Sequence, residues 1–163
     1  MTHPSSSSFR DAMRAHVGNC SVITVGEGER ATGLVVTSAI SLSVEPPLLL
    51  ACVNRKSSSL PLLREYGGFG LSFLGAAHQA VAERFSGLGG LRGPDRYAGA
   101  EWDVGISGAR LLRDAPAVFD CEVAEMMDRA SHTILIGRVL ALQTRAGRGA
   151  LMYWNGRYRS LTG

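Results

Sequence analysis

Apolar positions along this chain recur mostly with the short period of strands, and helical spacing is confined to brief segments. Cys20-Ser21-Val22-Ile23-Thr24-Val25 is rich in β-branched residues and stops at the glycine-rich stretch from Gly26 to Arg30; Ala31 to Ile40 then resumes with Val, Thr and Leu. That spacing predicts a hairpin. After Pro46-Pro47, Leu48 to Val53 is a continuous apolar run of strand length, as expected of a strand buried on both faces. Phe69 to Leu74 reads as a further strand. Phe119, Cys121 and Val123 alternate with Asp120 and Glu122, the pattern of a half-buried strand, and His132 to Leu142 and Leu151 to Asn155 complete the set. Helical spacing is found in Phe9 to His16, with Phe9, Met13 and Val17 on one side and Gly18 as the stop. It recurs in Ser57 to Tyr66, closed by Gly67-Gly68, and in Ala76 to Phe85, where Ala77, Val81 and Phe85 share a face. Gly87 to Gly108 reads as a loop. About seven strands with short helices predict a mainly β fold, a closed or partly closed antiparallel barrel rather than a doubly wound sheet.

Composition narrows the class. The 163 residues fit one domain, residues 9–163, behind a polar, Ser-rich tail, residues 1–8, expected to be disordered. Sixteen Arg and a single Lys give a net charge of +3, but acidic residues are interleaved and no basic block points to nucleic acid. Cys20, Cys52 and Cys121 are an odd count without CxxC spacing, which fits a reducing, cytoplasmic compartment. The N-terminus has no basic start followed by an apolar stretch, and the longest apolar run, Pro46 to Val53, is too short for a membrane span, so a soluble protein is expected.

Two hydroxyl clusters flank the apolar run. Thr37, Ser38, Ser41 and Ser43 stand at a predicted strand end, where hydroxyls and free N–H groups can hold a phosphate, or simply make a Ser/Thr-rich turn. Asn54-Arg55-Lys56-Ser57-Ser58-Ser59 opens a predicted helix with added positive charge; it can bind an anion, or one Ser can merely cap the helix. Together they suit a flat ring lying along the strand with its phosphate at the end. His132 can hydrogen-bond a substrate or stand as a partly exposed strand-start residue, and Tyr153-Trp154 can stack on an aromatic cofactor or pack in a core or interface. The chain has no GxGxxG after a strand, no GxxxxGK[ST], no HExxH and no GxSxG, and its His and Cys have no metal-ligand spacing. A redox enzyme using an organic cofactor fits these absences better than a hydrolase or a metalloenzyme.

Six pieces in order carry a resemblance: Phe9-Arg10, Gly33 to Pro47, Leu50 to Ser59, Ser72 to Gly87, the strand pair around Asp120-Cys121 and Ser131-His132, and Leu151 to Tyr158. Over Phe9 to Leu161 the chain resembles the flavin reductase-like family of short-chain NAD(P)H:flavin oxidoreductases, the small components of two-component flavin monooxygenases. The resemblance implies an FMN-binding split β-barrel, a homodimer, with FMN or FAD near the subunit interface and NADH or NADPH as hydride donor. Thr37, Ser38, Ser58 and Ser59 would hold the phosphate and ribityl chain, Val36, Cys52, Val53 and Asn54 would line the ring, and Phe85 would close the pocket. His132 falls where the family's Gly-Asp-His motif places a nicotinamide-contacting His, here in the context Ala130-Ser131, and Tyr153, Trp154, Asn155 and Gly156 fall where nucleotide contacts are expected. The implied activity is hydride transfer from nicotinamide to flavin without an obligatory acid or base, supplying reduced flavin to a partner oxygenase. Alternatives on the same fold are a reductase of a corrinoid or other bulky acceptor, and a non-catalytic flavin- or haem-binding module.

Overall fold

The computed structural model of the chain describes residues 3–162. Its first element, α1 (Ser6–Met13), starts inside the segment predicted as a disordered tail, because Ser5 and Ser8 cap it reciprocally. The Ser5 hydroxyl accepts from the Ser8 N–H at 3.1 Å, and the Ser8 hydroxyl accepts from the Ser5 N–H at 2.9 Å. The predicted apolar side of this helix, Phe9 and Met13, stays exposed. Met1 and Thr2, also part of the predicted tail, lie outside the described residues.

Strands β1 (Gly18–Asn19), β2 (Ser21–Val25), β3 (Thr32–Val36), β4 (Ile40–Ser43) and β5 (Leu48–Asn54) follow, then α2 (Leu60–Tyr66), β6 (Gly68–Phe73) and α3 (Gln79–Phe85). The chain continues through β7 (Trp102–Val104), β8 (Arg110–Leu112), β9 (Ala117–Arg129), β10 (His132–Thr144), β11 (Ala150–Trp154) and β12 (Arg157–Leu161). Seven strands form one antiparallel sheet in the order β3-β2-β6-β9-β10-β5-β4, flanked by a three-stranded sheet β1-β11-β12 and the pair β7-β8. Just past the end of β3, the Ser38 hydroxyl accepts the Cys52 N–H of β5 at 2.9 Å. The sheet therefore rolls toward a barrel with a seam between β3 and β5, where a side chain bridges strands that no backbone ladder joins.

Alternation sorts β2 between two clusters, so all its residues are buried. Ile23 and Val25 meet Leu34, Leu71, Leu135 and the α2 residue Leu63 in one. Val22 joins Leu74, Val81, Phe85, Tyr97 and Leu112 in the other. Each large apolar side chain so buried contributes about 1.5–3 kcal/mol before entropy is counted.

Four predicted features differ in the structure. β5 is not buried on both faces: Leu49, Ala51 and Val53 are inside, while Leu48, Leu50 and Cys52 on the other face are only half-buried. The predicted loop from Gly87 to Gly108 contains β7, which is held by pairing with β8 rather than by any pattern of its own. The helices predicted from Ser57 and Ala76 begin at Leu60 and Gln79. Local bonds keep the preceding residues in turns: the Ser57 hydroxyl accepts from the Ser59 N–H at 3.2 Å, and His78 Nδ1 accepts from the Gly75 N–H at 2.9 Å. Finally, a last strand, β12, follows a two-residue turn at Asn155-Gly156, both with positive φ.

Candidate functional site

A recess of about 260 Å³ lies at the β3–β5 seam, lined by Leu34, Val36, Thr37, Ser38, Cys52, Asn54 and His132, among others. It brings together residues far apart in the chain. The antiparallel register of β5 and β10 sets His132 directly opposite Asn54, which carries the histidine to the recess. His132 Nδ1 lies 2.9 Å from the Ser131 hydroxyl, a contact that orients the ring and leaves Nε2 free to meet a ligand. The hairpin tip behind it is tied down as well. Arg55 Nη1 donates to the Ala130 carbonyl at 3.2 Å, and the Thr133 hydroxyl donates to Asp128 at 2.7 Å. That hydroxyl, with the Arg64 guanidinium, holds the Asp128 carboxyl below the usual range.

Leu34 and Asn54 also line a second, larger cleft of about 620 Å³. One wall is the turn carrying Lys56, Ser57 and Ser58; the other carries Phe85, Ser86, Arg92 and Arg96. The second wall is irregular backbone fastened by side chains. Arg96 donates through Nε to the Leu91 carbonyl at 3.2 Å and through Nη1 to the Gly33 carbonyl, and the Tyr97 hydroxyl donates to the Thr32 carbonyl at 2.5 Å. Burial lowers the pKa of Arg96, yet a guanidinium stays charged at neutral pH. Phe85, Tyr97 and Trp102 form a three-ring cluster, with the Tyr97 and Trp102 centroids 5.1 and 5.5 Å from Phe85. Gly33 lets it come so close to β3, since a Cβ there would stand 2.7 Å from the Phe85 ring.

Among the described residues no carboxylate lines the larger cleft, whereas three cations and three hydroxyls do. Such a lining suits a phosphate, and the mixed apolar and polar recess beside it suits a flat ring bearing amide groups. A flavin fits both in chemistry. A third cleft, of about 560 Å³, is lined by Val35, Thr37, Glu83, Leu88, Tyr153 and Gly156, among others, and shares Thr37 with the recess. Tyr153 stacks edge-on against Tyr158 at 5.2 Å. Burial pushes the Tyr158 phenol up to about 12, so it is neutral.

Of the residues predicted for a flavin, Val36, Thr37, Ser38, Cys52 and Asn54 meet at the recess, and Ser58 and Phe85 at the larger cleft. Two do not reach either lining. Val53 points into the barrel core at 0% exposure, since strand alternation turns it away from Cys52 and Asn54. Ser59 is likewise fully buried at the start of α2, and its hydroxyl has no partner among the described residues. Ser38 has a structural duty too, as the bridge across the seam. Among residues predicted for the nicotinamide nucleotide, His132 lines the recess and Tyr153 and Gly156 the third cleft. Asn155 lies with Gly156 and Arg14 at a smaller cleft beside α1, and Trp154, on the opposite strand face from Tyr153, lines none of these. The sequence reading anticipated Lys56 and Ser57 as part of an anion-binding cluster, but missed Leu34, Val35, Ser86, Arg92 and Arg96. Only the isolated cations of the glycine-rich segment offered a local signal for the last two.

Comparison with known proteins gives the family of the chain. The family model described as "Flavin reductase like domain" matches residues 13–162. An FMN reductase (NADH) RutF of Agrobacterium fabrum is 34% identical over 153 residues, covering 94% of this chain and 87% of that protein. Among solved structures, BorF, the flavin reductase component of a bacterial two-component tryptophan halogenase, superposes with a TM-score of 0.89 at 33% identity, covering 98% of this chain and 99% of that one. The Streptomyces globisporus C-1027 NADH:FAD oxidoreductase SgcE6, in complex with NAD and FAD fragments, gives a TM-score of 0.87 at 26% identity over 98% of this chain and 94% of that one. With the family match spanning nearly the whole sequence, the chain belongs to the flavin reductase like family.

Proposed function

We propose that this chain is an NAD(P)H-dependent flavin reductase that binds FMN or FAD at the β3–β5 seam and supplies reduced flavin to a partner oxygenase. The observation that carries the reading is the junction of the recess with the carboxylate-free cationic cleft at Leu34 and Asn54. A bound flavin supplies the hydride-accepting chemistry. The protein's part is to bind and orient. Leu34, Val36 and Cys52 offer the ring a flat, partly apolar seat, and Ser57, Ser58 and Lys56 offer the phosphate hydroxyls and charge. His132, held by Ser131, stands at the recess mouth to orient a nicotinamide carboxamide; it transfers no proton. Burial pushes the Cys20 and Cys121 thiols up to about 11 and about 12, so neither is a nucleophile at neutral pH.

The reading extends to assembly and setting. Residues 9–163 act as one domain, and two copies form a dimer. Support comes from the outer face of β5 and its neighbours, where Ile40, Leu50 and Ile136 stand in register across three strands and remain partly exposed. A monomer mass by light scattering at micromolar concentration overturns the dimer. Three free cysteines suit a reducing, cytoplasmic location. Among the described residues no helix is long and apolar enough to cross a membrane.

The test is anaerobic addition of NADH or NADPH to the protein with FMN or FAD. Loss of the visible flavin absorbance at catalytic protein concentration is the expected result. Flavin binding without reduction leaves a flavin-binding module, and reduction only of a corrinoid or another bulky acceptor makes it a different reductase on the same fold.

A further inference from the structure

The room and the charge beside the ring recess exceed what a single phosphate uses. The recess measures about 260 Å³ and the cationic cleft about 620 Å³, so the larger volume lies beyond the ring, on the phosphate side. The cleft is two-walled. Asn54 belongs to both the recess and the cleft, and Lys56, Ser57 and Ser58 follow it on the near wall, where a ribityl phosphate would arrive first. Across the floor of Leu34 and Val35 stand Ser86, Arg92 and Arg96. A phosphate satisfied on the near wall leaves the far guanidinium groups without an anion. Arg92 is exposed and makes no ion pair among the described residues.

The far wall is a built surface. Arg84 donates to the Asp95 carbonyl at 2.6 Å and to the Arg96 carbonyl at 3.3 Å, and Arg96 and Tyr97 fasten the same segment to Gly33 and Thr32. Arg92 is exposed where it lines the cleft, and a guanidinium stacks well on a purine.

We infer that the site selects the flavin dinucleotide, FAD, with Arg92 on the far wall holding the adenosine-side phosphate and facing the adenine. This rests on the flavin-reductase reading and adds the choice of flavin to it. FMN, with one phosphate, engages the near wall alone; FAD spans both.

Equilibrium titration of FMN and FAD into the wild-type protein and Arg92→Ala, followed by flavin fluorescence, is the test. Wild type is expected to bind FAD at least about tenfold more tightly than FMN; losing one charge-assisted contact should weaken FAD about tenfold and FMN less than about threefold. Because Arg92 is exposed, the variant should keep the wild-type thermal midpoint. Equal wild-type affinities, or equal losses for both flavins, overturn the inference. If FMN is nonetheless bound and reduced by NADH, the flavin-reductase reading stands without it; if neither flavin binds, both fall together.

Discussion

The strand side of the cleft system and its loop side are held by different forces. Val36 to Ser38 and Cys52 to Asn54 ride on sheet backbone: β5 pairs with β10 along its whole length, and the Ser38 hydroxyl ties the end of β3 to Cys52. Phe85 to Arg96 has no ladder of its own. Its place depends on arginine and tyrosine side chains donating to carbonyls and on the packed rings of Phe85, Tyr97 and Trp102. A ladder distributes position over many equivalent bonds, whereas a fastened loop concentrates it in a few side chains. Single substitutions should therefore move the loop side more.

The sharpest way to break that contrast is Phe85→Ala. Phe85 is 2% exposed at the centre of the ring cluster, and its truncation should cost about 3–5 kcal/mol and displace the wall that it anchors. Urea unfolding reads the stability, and flavin titration at low temperature, where the variant is still folded, should show weakened binding. Wild-type stability and affinity would mean that the arginine bonds alone position the loop.

On the strand side, Ser38→Ala removes the bridge across the seam and strands the Cys52 N–H, with an expected loss of about 1–2 kcal/mol in denaturant unfolding. A loss as large as that of Phe85→Ala would show the seam to be as vulnerable as the loop. His132→Ala should leave both walls in place. Its expected cost is on the order of 1 kcal/mol, about a tenfold drop in kcat/KM for the nicotinamide nucleotide with unchanged flavin affinity. Wild-type kcat/KM would remove His132 from the site, and lost flavin binding would move it into the flavin's contacts.

The smallest expected effect is at the hairpin tip that carries His132. Ala130 sits at φ +47, a left-handed conformation that costs an L side chain energy, at the position where the family's Gly-Asp-His motif has glycine. Ala130→Gly should raise stability by about 0.5–1 kcal/mol, readable as a shift in the urea midpoint. A loss of stability would show that the alanine is not strained there.

Much of the barrel could be read from local pattern. The β-branched run at Val22 to Val25, the alternation at Phe119 to Val123 and the stop at Gly67 each act over a few residues, through steric preference and side-chain period, and the structure has strands or a helix end at each. The Asn155-Gly156 turn is just as legible, and the strand β12 that follows it is the part the local pattern does not predict. The serine pair at the start of α1 was read as a mark of disorder although its spacing also encodes a cap.

Other features have no local signature. Whether Leu48 to Val53 is covered on one face or two depends on what packs outside β5, and periodicity carries no information about a neighbour. The site is the clearest case. The amino-acid order determined that Thr37 and Ser38 follow a strand and that a second hydroxyl cluster, Ser57 to Ser59, follows the apolar run Leu48 to Val53. Tertiary structure decided that Ser59 and Val53 turn inward, that β10 sets His132 beside Asn54, and that Arg92 and Arg96 arrive opposite Lys56. Strand period and turn chemistry are properties of neighbouring residues, but a cleft is made where segments distant in sequence meet, and only closure of the sheet and packing of the loop against it bring them together.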